Sequence, residues 1–174
     1  MRHYFSSIFT SFLSPSPKLK GLVLCLAVFL GSTFVLNGLI FAFDFNDRPV
    51  AIAEGVLPAG HVIGAVWSVL FAALAFAYWL VANRPQGLWP ATFTPQGHIL
   101  AFTGFCLSYP VLTLGFRVGS LVVAGNLICI VWSGALAGYF APHMRRVALL
   151  VFMPAVWVMY VTYLIAMTAM MNEG

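Results

Sequence analysis

The chain has 174 residues, of which 62% are hydrophobic and 7% charged, and its formal net charge is +4. An ordinary soluble domain carries about 25% charged residues, and eight basic plus four acidic side chains are too few to cover a folded surface of this size. Disorder, collagen, a coiled coil and a soluble enzyme fit poorly, eight scattered cations make no nucleic-acid footprint, and an integral membrane protein is the class that remains.

The first twenty residues form their own segment. Phe5, Ile8, Phe9, Phe12 and Leu13 recur with a helical period, and Ser6, Ser7, Thr10 and Ser11 hold the other face. Ser14-Pro15-Ser16-Pro17 then breaks the helix. Residues 1–20 read as a short helix lying in the membrane interface on the cytoplasmic side.

Charged residues delimit five apolar stretches, at about 21–43, 56–82, 99–116, 119–141 and 147–171. Roughly 20 apolar residues cross the hydrocarbon core as a helix, and backbone groups cannot stay unpaired in lipid. The expected fold is all-α, a five-transmembrane-helix bundle forming one domain over 21–172. The first loop, Asp44 to about Leu57, is acidic. The second, Asn83 to Gly97, carries Pro85, Pro90, Pro95 and Trp89, the last suited to an interface anchor. Tight turns are expected around Arg117-Val118-Gly119 and from Pro142 to Arg146. Arg2, Lys18, Lys20, Arg84, Arg145 and Arg146 fall on one side, Arg48 and Arg117 on the other. This six-to-two bias predicts a cytoplasmic N-terminus and a C-terminus on the opposite side.

No Asp, Glu, Lys or Arg sits in the middle of a stretch. Relays for ion-coupled transport are therefore lacking, as are groups for acid–base or nucleophilic catalysis, and the chain is not expected to be an enzyme. His3, His61, His98 and His143 lie near the ends of stretches and read as interfacial residues, so no metal site is expected. Cys25, Cys106 and Cys129 read as buried thiols without a disulfide framework.

Aromatic residues are plentiful: 16 Phe, 6 Tyr and 5 Trp. Trp67, Phe71, Leu74 and Tyr78 share one helical face, and Trp157, Tyr160 and Leu164 another. Such stripes serve plain packing as readily as a ligand. Where several meet Gly and Pro inside a bundle, they suit a flat apolar ligand. Gly134-Ala135-Leu136-Ala137-Gly138 allows close helix approach, either within the chain or between two copies. Arg146, Phe152 and Val156 meet a loose sterol-contact pattern.

Two segments carry a family resemblance. Pro58-Ala59-Gly60-His61-Val62-Ile63-Gly64-Ala65-Val66-Trp67-Ser68-Val69-Leu70-Phe71 resembles the start of the second helix of the TspO/MBR family, the tryptophan-rich sensory proteins and translocator proteins (peripheral benzodiazepine receptors). Pro154-Ala155-Val156-Trp157-Val158-Met159-Tyr160-Val161-Thr162-Tyr163-Leu164 is similar to that family's fifth helix. The clear matches cover about 25 residues; the remainder agrees in layout. Departures stand at Ala59, His61, Ile63 and Ile165, where the family pattern has Pro, Trp, Phe and Asn. A further departure is Leu107-Ser108-Tyr109-Pro110-Val111-Leu112, where the third helix has Leu-Asn-x-x-Trp-Ser.

The resemblance implies a five-helix bundle, often dimeric, with a pocket between the helices under the first loop. It implies a receptor or binding protein for a flat apolar ligand, a tetrapyrrole (porphyrin or haem) or a sterol-like lipid, with a sensory or regulatory role. No cofactor is required; porphyrin or haem would be ligand. Trp67, Phe71 and Trp157 match motif positions, and Tyr160 and His61 stand beside them as ligand contacts, His61 with an imidazole able to ligate haem iron. Pro58, Gly64 and Pro154 are structural positions. Gly134 and Gly138 are the expected homodimer contact, and membrane lipid is the remaining partner. A transporter of such a ligand, or a ligand-free membrane helper subunit, are the other readings the sequence leaves open.

Overall fold

A computed structural model describes residues 10–42, 58–84, 94–116 and 119–172; at 41, 110, 112–116, 119 and 168–172 it describes the backbone alone. Helices make up these segments, and among the described residues there is no strand. A helical turn over 10–13 leads through Ser14-Pro15-Ser16-Pro17 into α1, Leu19–Ala42. Then follow α2, Gly60–Ala82; α3, Pro95–Phe116; α4, Gly119–Phe140; and α5, Arg145–Asn172. The first loop, Trp89 and the Arg117-Val118 turn lie outside the described residues.

Four segments are long and apolar enough to cross a membrane: Leu19–Ile40, Gly60–Ala82, Ser120–Phe140 and Arg145–Met167. The fold is therefore all-helical and suited to a multi-pass membrane protein. The helix α3 has 22 residues but is not among the four. It opens on Pro95-Gln96-Gly97-His98, and most side chains beyond Tyr109 lie outside the described set, so its described apolar stretch is short.

The helix α2 is the centre of the assembly. It packs on α1, α3 and α5; α4 packs on α3 and, most extensively, on α5. The four helices α2 to α5 thus close a ring, with α1 leaning on α2 and α3. Ala75 and Ala77 are fully buried, because small side chains let neighbouring backbones approach α2. On the same helix Phe71, Leu74 and Tyr78 are buried, which makes three of the four residues of the aromatic stripe part of the core.

Residues 10–20 of the N-terminal segment pack on the bundle. Of its apolar face, Phe5, Ile8 and Phe9 lie outside the described residues. Phe12 is buried, stacked on Tyr78 with ring centroids 5.1 Å apart and planes 13° apart, and 6.3 Å from the ring of Phe29. The Tyr78 hydroxyl donates to the Phe12 carbonyl at 3.2 Å, and the Trp79 indole Nε1 donates to the Ser16 carbonyl at 3.0 Å. A pair of aromatic side chains on α1 and α2 therefore receives the segment, and main-chain carbonyls complete the contact. The apolar period announces that Phe12 seeks cover; it does not say whether lipid or protein provides it.

Candidate functional site

The residues expected at a ligand site sit on α2 and α5, two helices in direct contact. Pro58 precedes α2 and is half-buried; His61, in the first turn, is exposed. Ala59 starts the helix, its carbonyl accepting from the Val62 and Ile63 amides at 2.8 and 3.1 Å. Two turns in, Trp67 is half-buried and its ring lies 5.7 Å from that of Phe71. On α5, Trp157 is half-buried and pairs with Tyr160 at 5.7 Å; Tyr160 is exposed at 48%. Each ring pair is formed within its own helix, at the i, i+4 and i, i+3 spacings that put side chains side by side. Both tryptophans also touch the buried core. Pro154 lies inside α5 and is fully buried.

Three glycines singled out in the sequence share one property. A Cβ built on Gly64, Gly134 or Gly138 meets nothing within 4 Å. Among the described residues, then, no other helix touches the backbone at the α4 glycines.

A polar cluster joins α3, α4 and α5 and was not singled out from sequence. The Tyr109 hydroxyl donates to Asn126 Oδ1 at 2.6 Å, with the Val122 carbonyl at 3.0 Å as a second acceptor. Asn126 Nδ2 donates to Thr162 Oγ1 at 2.8 Å, and Thr162 donates to the Val158 carbonyl at 2.7 Å. Asn126 is 3% exposed. The Tyr109 ring lies so close over Gly125 that a Cβ there would run into it. A lone Asn in an apolar stretch was the available signal, since an amide in hydrocarbon needs partners. An aromatic cluster of Phe102, Phe105 and Trp132 lies further along the same α3–α4 interface, with centroids 5.7 Å (Phe102–Trp132) and 5.9 Å (Phe105–Trp132) apart.

The pairs Phe102–Trp132 and Tyr109–Asn126 run in opposite senses along α3 and α4, so these helices are antiparallel. The pairs Asn126–Thr162 and Ser133–Val151 make α4 and α5 antiparallel too. The polar cluster thus lies toward the ends of α3 and α5 and the start of α4. Among the described residues no group of three or more His, Cys, Asp or Glu side chains comes together. The arrangement offers aromatic surface and hydroxyl and amide groups, which bind and orient. Comparison of the chain with models of known families, with curated proteins and with solved structures gives no match.

The cluster makes a stability prediction. Asn126→Leu removes two interhelical hydrogen bonds and should lower stability by about 1 kcal/mol, the size such bonds reach in membrane bundles. Gly125→Val forces the Tyr109 ring off α4 and should cost about 1–3 kcal/mol through overpacking. Reversible unfolding in mixed detergent micelles measures both; neutral values for the pair would mean that α3 and α4 do not meet in this register.

Proposed function

We propose that the chain is a TspO/MBR-like membrane receptor that binds a flat apolar ligand, a tetrapyrrole or a sterol-like lipid, without turning it over. Its domain would be a five-span bundle with α3 as the third span, its N-terminus in the cytoplasm and its C-terminus outside. The observation that carries the reading is that two tryptophans, Trp67 and Trp157, are half-buried on helices that pack against each other. Each keeps ring surface uncovered beside a second aromatic ring. A flat ring system stacks on such surfaces, and aromatic pairs contribute about 0.5–1.5 kcal/mol beyond area burial.

Protoporphyrin or haem is expected to bind with micromolar affinity, on the order of −8 kcal/mol, and to quench tryptophan fluorescence saturably. Trp67→Ala and Trp157→Ala should each weaken binding about tenfold, which is about 1.4 kcal/mol. Trp89→Ala, in the second loop, should leave it unchanged. An absence of saturable quenching in the wild type removes the tetrapyrrole reading, and an equal loss in Trp89→Ala moves the ligand to the surface.

Orientation is tested separately. A reporter fused before Met1 should read as cytoplasmic and one fused after Gly174 as external; two ends on the same side would exclude five spans.

The same reading includes a homodimer through Gly134 and Gly138, supported by the open space at both glycines. Gly134→Leu or Gly138→Leu should convert dimer to monomer in detergent without loss of helical content. An unchanged oligomeric state in both variants would remove these residues from any dimer contact.

A further inference from the structure

The end of the bundle where α1 begins and α2 ends has a chemistry of its own. Among the described residues the Lys and Arg side chains are Lys18, Lys20, Arg84, Arg145 and Arg146; all five are exposed, and no Asp or Glu occurs among these residues. Lys18 and Lys20 flank the start of α1, Arg84 follows α2, and Arg145 and Arg146 open α5. The Trp79–Ser16 contact brings the start of α1 to the end of α2, and with it Lys18, Lys20 and Arg84 to one end.

The segment that carries the two lysines is held in place. Phe12 is stacked on Tyr78 and its carbonyl takes the Tyr78 hydroxyl. Four residues on, the Ser16 carbonyl takes the Trp79 indole. Pro15 and Pro17 fix their own φ angles, and Pro15 is buried. The Gly21 amide donates to the Lys18 carbonyl at 2.9 Å. The chain turns back so closely that a Cβ on Gly21 would collide with the Ser16 backbone, so position 21 accepts only glycine. The result is a fixed corner presenting Ser14, Ser16, Lys18 and Lys20 to the exterior, close to the end of α2 that bears Arg84.

Trp79 gives the corner its depth. An indole at the end of a membrane-crossing helix sits at the level of the lipid headgroups, and Lys18, Lys20 and Arg84 lie within one or two turns of its contact. Basic side chains carried at phosphate depth by an anchored backbone attract anionic lipid, and each strengthens the attraction about fivefold. A guanidinium also matches two phosphate oxygens at once.

We propose that the Ser14–Lys20 corner and Arg84 form a binding site for the phosphate headgroup of an anionic phospholipid. The site is independent of the aromatic residues at Trp67 and Trp157 and of any ligand held there.

The full-length protein in neutral detergent, supplied with phosphatidylglycerol or phosphatidylcholine, tests this by native mass spectrometry of retained lipid and by thermal shift. The wild type should retain phosphatidylglycerol in clear preference and be stabilised by it. Lys18→Gln with Lys20→Gln should lower the preference about ten- to thirtyfold, and Arg84→Gln several-fold, with helical content unchanged. Trp79→Phe keeps every charge but releases Ser16, and should also reduce the preference. Equal retention of the two lipids by the wild type overturns the proposal, as does an unchanged preference in the double lysine variant. An unchanged preference in Trp79→Phe would leave diffuse charge as the cause and overturn the corner as a site. A thermal shift with inorganic phosphate as large as that with phosphatidylglycerol would make free phosphate the ligand and overturn the lipid assignment.

Discussion

A hydroxyl or amide without a partner in hydrocarbon costs several kcal/mol, and the arrangement of this bundle follows from how the chain meets that constraint. Most of its small polar side chains close on their own helix. Ser32 donates to the Val28 carbonyl, Thr33 to Phe29, Ser68 to Gly64 and Thr103 to Ile99, each one turn back. Among the described residues no buried side-chain nitrogen or oxygen lacks a partner. The groups that do not close locally are the ones that bind helix to helix. Asn126 has an acceptor and two donor hydrogens and meets Tyr109 and Thr162 on the two flanking helices. One amide therefore sets the register of α3, α4 and α5 together.

The same requirement accounts for Ser133. Pro154 stands inside α5 and has no amide hydrogen, so the carbonyl one turn before it loses its helical partner. Proline is tolerated within membrane helices where neighbouring hydroxyls and local adjustment satisfy the disturbed carbonyls. Ser133 of α4, fully buried, donates to the Val151 carbonyl at 2.6 Å, within the turn that Pro154 disturbs. The carbonyl that Pro154 deprives of a partner is that of Leu150; Ser133 bonds its neighbour Val151, which satisfies the buried serine and ties α4 to the turn before the proline. Trp157 follows Pro154 by about one turn, so the direction in which its ring leaves α5 depends on how that turn is held.

Much of the fold could be read from residue order. Gly, Pro and charged residues at the edges of the apolar stretches mark helix ends, and the observed helices begin and end within a few residues of the expected 21–43, 56–82, 99–116, 119–141 and 147–171. Spacing along one helix was equally legible: the face shared by Trp67 and Phe71 and by Trp157 and Tyr160 appears as ring pairs. What could not be read were meetings between residues far apart in the chain. Nothing in the spacing of Phe12 points to Tyr78, and nothing in Tyr109 points to Asn126 and Thr162, because such contacts depend on the relative rotation and shift of two or three helices. The glycine pair on α4 shows the same limit from the other side. The spacing of Gly134 and Gly138 says that a close approach is allowed; only the packed bundle tells that among the described residues nothing makes it.

The α2 stripe links the two ends of the molecule and restricts where a ligand can go. From Phe71 through Leu74 to Tyr78 it is closed: each residue is buried, and the last lies against Phe12 and Phe29. Packing of that density leaves no room for a ring system without displacing core side chains, which costs more than stacking returns. Only Trp67, at the start of the stripe, keeps ring surface uncovered. The ligand proposed above would therefore meet this stripe at Trp67 alone. At the other end of the stripe the ring of Tyr78 is covered by Phe12 and its hydroxyl is taken by the Phe12 carbonyl, so that end is filled by the N-terminal segment of the chain itself.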